Sequence, residues 1–135
     1  MELKESKNRK GFFGFMSGAM AAAKKKGCHL VGNPEKQITG MDTLYIGTPV
    51  WAGNGTPAVN EFLDRAELKG KKCFLFTVQA DTKKEGSSVV LSRLKERIEK
   101  KGGSVVRTFA LVGGGIGKKP MSELIRREIE SLDWL

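Results

Sequence analysis

The thirteen residues Tyr45-Ile46-Gly47-Thr48-Pro49-Val50-Trp51-Ala52-Gly53-Asn54-Gly55-Thr56-Pro57 constrain the fold more than any other stretch of the chain. They follow Thr43-Leu44, and Thr43 to Ile46 is a short β-branched and aromatic run, the composition of a strand buried on both faces. Thr56-Pro57 reads as a helix N-cap followed by proline at the first helical position. Ala58, Val59, Phe62 and Leu63 then fall on one helical face. A buried strand therefore runs through a loop of glycine, proline and one tryptophan into a helix. In an open α/β sheet, ligands bind just outside the carboxyl ends of the strands, where this loop sits. Two readings of Trp51 follow: it packs on a neighbouring loop, or it offers its ring to a flat ligand.

The rest of the chain repeats the alternation. Gly70 closes the first helix region, and Lys72-Cys73-Phe74-Leu75-Phe76-Thr77-Val78 is a second near-continuous apolar strand. Ser87 is a suitable N-cap for a helix with Val90, Leu91, Leu94 and Ile98 on one face and Lys95, Arg97 and Lys101 on the other. Gly102-Gly103 ends that helix. Val105 to Leu111 is a third strand, and a last helix over Ser122–Leu132 buries Leu124, Ile125, Ile129 and Leu132. Strand, helix, strand, helix, strand, helix predicts an α/β domain with a parallel sheet and right-handed crossovers. One domain spans 1–135, with a βαβαβα core over 42–135 and an irregular segment over 1–41.

Within that segment, Glu2-Leu3-Lys4 hints at a strand. Gly11 to Ala23 is thirteen uncharged residues between basic flanks. It is too short to span a bilayer, which takes roughly 20 apolar residues. It resembles a signal peptide with its Ala-x-Ala end, but three glycines dilute it and it holds no Leu, Ile or Val. An Ala-rich helix from about Met16 to Lys26, ended by Gly27, is the simpler reading. Cys28 to Met41 follows as an irregular connection with a turn at Gly32-Asn33-Pro34.

The net charge of +9 invites anionic partners, yet the lysines and arginines lie in short runs at element ends, without interleaved aromatics. No specific nucleic-acid function and no membrane insertion is expected. Cys28, Cys73 and the single His29 cannot assemble a metal site, and Cys73 lies inside an apolar strand. Two scattered cysteines fit a reducing compartment, and a cytoplasmic location is expected. The loop Gly113-Gly114-Gly115-Ile116-Gly117-Lys118 fails as a phosphate loop, because Val112 stands where its first glycine belongs and Lys119 where Ser or Thr belongs. It also fails G-x-G-x-x-G, with Lys118 in the third glycine position. No G-x-S-x-G or H-E-x-x-H occurs, and Asp81 and Glu85 read as solvated, so hydrolase chemistry has no support.

The run Tyr45 to Pro57 resembles the third-strand loop of short-chain flavodoxins and related FMN-binding proteins, in which a G-T-P-V-W-A-G segment wraps the isoalloxazine ring. The similarity continues through Lys69-Gly70-Lys71-Lys72-Cys73-Phe74-Leu75-Phe76 to Leu135, and Lys10 to Phe15 resembles a segment some such proteins carry between their second and third strands. The resemblance implies a flavodoxin-like open parallel sheet in three layers and an electron carrier rather than an enzyme with its own substrate chemistry. By position it implies FMN contacts from Thr48, Pro49, Val50, Trp51, Ala52, Gly53 and Asn54, with Trp51 as the stacking ring. A second ring-binding loop would comprise Thr77, Val78, Gln79, Ala80 and Asp81, departing from the small residues the family often has there.

A flavodoxin opens with a strand, a T-G-N-T-like phosphate loop and a helix. This chain resembles one that begins at the tail of the second strand, Glu2-Leu3-Lys4, with roughly 30 residues absent. Two expectations follow. The FMN phosphate would lack its cradle of backbone N–H groups, leaving binding weak or absent. The strand at Thr43 to Thr48 would lack its neighbour in the 2-1-3-4-5 order and present an apolar edge, predicting a homo-oligomer, strand-exchanged in one form. The functional alternatives are an FMN-binding electron carrier with an unidentified redox partner, and a non-enzymatic binding or assembly module on the same fold that no longer binds FMN well.

Overall fold

The computed structural model describes residues 1–4, 6, 28–79, 83–113, 126, 127 and 130. Three strands, β1 (Thr43–Pro49), β2 (Lys72–Gln79) and β3 (Ser104–Val112), alternate with two helices, α1 (Pro57–Arg65) and α2 (Glu85–Lys100). The strands form one parallel sheet in the order β1-β2-β3. Thr43 lies opposite Lys72 and Pro49 opposite Val78, so β1 and β2 end together at their carboxyl ends. The β2–β3 register slips between Cys73 and Phe74. This is the flavodoxin-like α/β arrangement that the alternation and the resemblance predict.

The core lies on one face of the sheet. Leu44 and Ile46 of β1 and Cys73 and Leu75 of β2 pack with Val59, Phe62 and Leu63 of α1 and Val90, Leu94 and Ile98 of α2. The Thr56 hydroxyl accepts the Val59 N–H at 3.5 Å and Pro57 opens α1, as the sequence predicts. That helix stops at Arg65, ahead of Gly70, and Lys101 closes its end by donating to the carbonyls of Leu63 and Asp64, both at 2.8 Å. Gly102, with φ +77°, follows α2.

Three expectations need correction. β1 is not buried on both faces: its residues alternate, with Leu44, Ile46 and Thr48 inward and Thr43, Tyr45, Gly47 and Pro49 exposed. Ser87 is not the N-cap of α2. The helix begins at Glu85 after Lys84 in the left-handed region at φ 59°, and Ser87 is buried in the first turn, accepting a hydrogen bond from the Thr77 hydroxyl at 2.8 Å. The charged side of α2 is not uniformly solvated either, because Arg97 and Lys101 both bond to α1.

The amino terminus is tied to the connection before β1: Ser6 N–H donates to His29 O at 2.8 Å and Val31 N–H to Lys4 O at 2.7 Å. Leu3 packs against the core. The helix expected near Met16 to Lys26 and the glycine loop after Gly113 lie outside the described residues. Of the expected last helix, Arg126, Arg127 and Glu130 are described, and they are helical.

Candidate functional site

The carboxyl ends of β1 and β2 carry the candidate site. Beyond Pro49 the backbone makes a four-residue turn closed by two hydrogen bonds, Trp51 N–H to Asn54 O at 2.8 Å and Asn54 N–H to Trp51 O at 2.9 Å. Its two central residues have positive φ, 47° at Ala52 and 70° at Gly53, which is the geometry of the tight hairpin turn that matches strand twist. Glycine adopts this freely. Ala52 does so at a cost of about 1–2 kcal/mol, which the surrounding contacts must offset.

Those contacts come from three directions. The Asn54 side-chain amide donates to Ala52 O at 3.2 Å within the turn. Arg93 on α2 donates from one nitrogen to Gly53 O and to Asn54 Oδ1, both at 2.9 Å. Below the turn, Thr56 N–H donates to the Thr48 hydroxyl at 3.0 Å, which itself donates to Pro49 O at 3.0 Å. Asn60 on α1 donates to Gly55 O at 3.3 Å, and Arg97 donates to Asn60 Oδ1 at 2.6 Å and to Asp64 at 2.6 Å. The loop is thus bonded to both helices.

This geometry divides the residues picked out by resemblance. Thr48, Thr77 and Asn54 are buried and their side chains bond within the protein, Thr48 and Asn54 inside the loop and Thr77 to Ser87 of α2. Pro49 and Ala52 are exposed; Val50, Trp51, Gly53, Val78 and Gln79 are half-buried. Val50 and Gln79 converge on the start of α2, since a Cβ on Gly86 would lie 3.2 Å from Val50 Cγ1 and 3.3 Å from Gln79 Oε1. The two segments picked out by the resemblance therefore meet at the start of α2. Ala80 and Asp81 lie outside the described residues. Pro49, Val50, Trp51 and Val78 bring apolar and aromatic side chains to this end of the sheet, chemistry that suits a flat heteroaromatic ring. Among the described residues no group of His, Cys, Asp and Glu could hold a metal ion.

Sequence reasoning missed Asn60, Arg93 and the role of Arg97. A signal existed: Arg93, Arg97 and Lys101 recur at intervals of four beside the apolar stripe of Val90, Leu94 and Ile98. Such a basic stripe beside an apolar one reads as solvated until a partner is known.

A second feature lies along the outer edge of β1. A groove of about 690 Å³ runs between that edge and α1, lined among others by Leu44, Ile46, Ala58, Val59 and Phe62, with Leu3 at one end. Among the described residues β1 pairs only with β2.

Comparison with known proteins agrees with the fold. A candidate flavoprotein from Bacteroides uniformis ATCC 8492 superposes with a TM-score of 0.56 at 20% identity, over 84% of this chain and 64% of its own length. The Trp repressor binding protein from Bacillus subtilis superposes with a TM-score of 0.57 at 16% identity, over 78% of this chain and 71% of its own. A flavoprotein from Lactobacillus acidophilus NCFM, solved in complex with FMN, shares 23% identity over 51% of this chain and 43% of its own, with a TM-score of 0.42, too partial a likeness to carry weight. This chain thus spans less than two thirds of the Bacteroides and Lactobacillus proteins. No curated protein sequence matches significantly. The flavodoxin domain profile, however, matches residues 16–135, nearly the whole sequence, and the chain belongs to the flavodoxin domain family.

Proposed function

We propose that this chain is an FMN-binding electron-transfer protein of flavodoxin type, with the flavin ring held against the turn of Trp51 to Asn54. The observation that carries this reading is the turn itself. It is held in a strained backbone conformation by both helices, at the carboxyl ends of two parallel strands, and it bears a half-buried tryptophan. Bound FMN would supply the redox chemistry. The chain's own residues would hold the ring, with Trp51 stacking on it and Pro49, Val50, Val78 and Gln79 flanking it and keeping water from one side. The net charge of +9 attracts the anionic cofactor and favours an acidic surface on the redox partner.

Titrating the purified protein with FMN and following quenching of flavin fluorescence tests this. Saturable but weak binding is expected, in the micromolar range rather than tighter because no stretch of the sequence fits a phosphate loop, and weakened about ten-fold or more by Trp51→Ala through lost stacking and burial. No saturation at high micromolar FMN would overturn the reading.

One observation favours a second reading, that the fold also serves assembly. β1 carries no charged residue, and its outer edge faces the apolar groove. Edge strands are ordinarily protected by charge, proline or bulges; among the described residues only Pro49 at the end of β1 does so. We infer that β1 pairs with the same strand of a second copy. Light scattering coupled to size exclusion is expected to give a dimer, dissociated by Tyr45→Lys. A monomer at every concentration, or a dimer indifferent to Tyr45→Lys, would rule it out.

A further inference from the structure

We propose that Arg93 is a positioning residue of the ligand site, holding the Trp51–Asn54 turn, and through it the Trp51 ring, in its ligand-ready geometry. Its relevance to FMN rests on the function proposed above; the hold on the turn stands on the two Arg93 hydrogen bonds. The turn has an intrinsic weakness. Ala52 sits at φ 47° and Gly53 at φ 70°, and the bonds that close it from within are the two reciprocal backbone bonds between Trp51 and Asn54 and the Asn54 side-chain bond to Ala52 O. A non-glycine residue in the left-handed region persists where its surroundings over-determine it. Arg93 supplies that constraint from outside. Its Nη1 donates to Gly53 O and to Asn54 Oδ1, each at 2.9 Å.

The second of these bonds does more than add one contact. Accepting from Arg93 fixes the Asn54 amide so that its Nδ2 faces Ala52 O, 3.2 Å away. The carbonyl of the Ala52–Gly53 peptide is thereby held by Asn54 and that of the Gly53–Asn54 peptide by Arg93, so rotation of either peptide breaks a bond. Arg93 reaches the turn from the exposed side of α2, whose inner side is anchored by Val90 and Leu94, 1% and 2% exposed. One turn further along, Arg97 bonds Asn60 and Asp64 and ties the same helix to α1. The helix is therefore a fixed post, and Arg93 transmits its position to the turn. A lysine at this position keeps the charge and most of the reach. Its ammonium sits on a flexible stem and rotates freely, whereas the planar guanidinium fixes the directions of the two Nη1 hydrogens that meet Gly53 O and Asn54 Oδ1.

The test separates geometry from charge and from the identity of the ligand. Arg93→Lys and Arg93→Gln are compared with the full-length wild type in three measurements: hydrogen exchange at the Asn54 amide without ligand, FMN affinity, and Tm. Both variants are expected to accelerate Asn54 exchange about ten-fold and to weaken FMN about ten-fold, with Tm within a few degrees of wild type. In an Asn54→Ala background, Arg93→Lys is expected to cost less than in the wild type, because one of its two acceptors and the link through it to Ala52 O are gone. If Arg93→Lys matches wild type while Arg93→Gln weakens FMN, Arg93 acts as a charge and the positioning role falls. Unchanged Asn54 exchange in both variants also overturns it. If exchange responds as expected but wild type binds no FMN, Arg93 still positions the turn, and the cofactor assignment is what fails.

Discussion

The two faces of the sheet are built from the same strands and have different surroundings. On the helix-covered face, Leu44, Ile46, Cys73 and Leu75 are between 0% and 7% exposed beneath α1 and α2. On the opposite face Tyr45 is 60% exposed and stacks on Phe74, with ring centroids 4.8 Å apart and planes 14° from parallel. Burial on that second face rises across the sheet. Phe74 and Phe76 in the middle are half-buried, and Phe109 and Leu111 on β3 are buried. Apolar content alone therefore does not report coverage. A strand of β-branched and aromatic residues can be dry on one side and open on the other, and the open side is greatest at β1, beside the groove.

Paired substitutions in β2 offer the sharpest way to break this comparison. Leu75→Ala removes a side chain with no exposure and should cost about 2–5 kcal/mol, since the helices above cannot collapse into the gap. Phe74→Ala removes a larger side chain from the open face and should cost less, about 1–2 kcal/mol, much of it from the lost stacking on Tyr45. Urea unfolding of the two variants measures both. Equal losses would mean that the second face is as tightly covered as the first.

A smaller effect is expected at Gly47, where the open face has one tight spot. A Cβ there would collide with the Phe76 ring, which lies across the glycine. Gly47→Ala should destabilise by about 1–2 kcal/mol by forcing that half-buried ring outward. Shortening the neighbour should relieve it, so Gly47→Ala and Phe76→Leu together should cost less than their sum in the same urea experiment. Strict additivity would show that the ring makes way freely.

The architecture was legible because it rests on local pattern. The strands, the Thr56-Pro57 helix start and the apolar stripes of both helices follow from period and capping, and the structure bears them out. Ser87 misled because serine is a good cap in general, whereas here its hydroxyl serves Thr77 across the core. The resemblance picks out Thr48 and Thr77 by position, and their hydroxyls bond inside the protein, which no local pattern announces. Arg93 was invisible for a different reason. Its partners are 39 and 40 residues away in sequence, and the bond depends on how α2 crosses the end of β1, which no local spacing encodes.

The dry face also has a chemical signature that the open face lacks. Cys73 is 0% exposed, and burial pushes its thiol above the ordinary 9.0, with Lys71 pulling more weakly the other way. A group whose pKa is raised by folding contributes its full stability below the unfolded value and loses it as pH climbs through the folded one. At neutral pH nothing is lost. Above about pH 9 the unfolded chain releases this proton more readily than the native one, and stability should fall by up to about 1.4 kcal/mol per pH unit. Lysines also titrate in that range, so the reading is the difference between wild type and Cys73→Ala. Tm should decline more steeply in the wild type above pH 9, while the two run parallel below it. Cys28, half-buried, should meanwhile react with a thiol reagent in the native protein well before Cys73. Parallel Tm curves through pH 10, together with equal reactivity of the two thiols, would show that the helix-covered face admits water, and the contrast between the faces would fail at its most buried point.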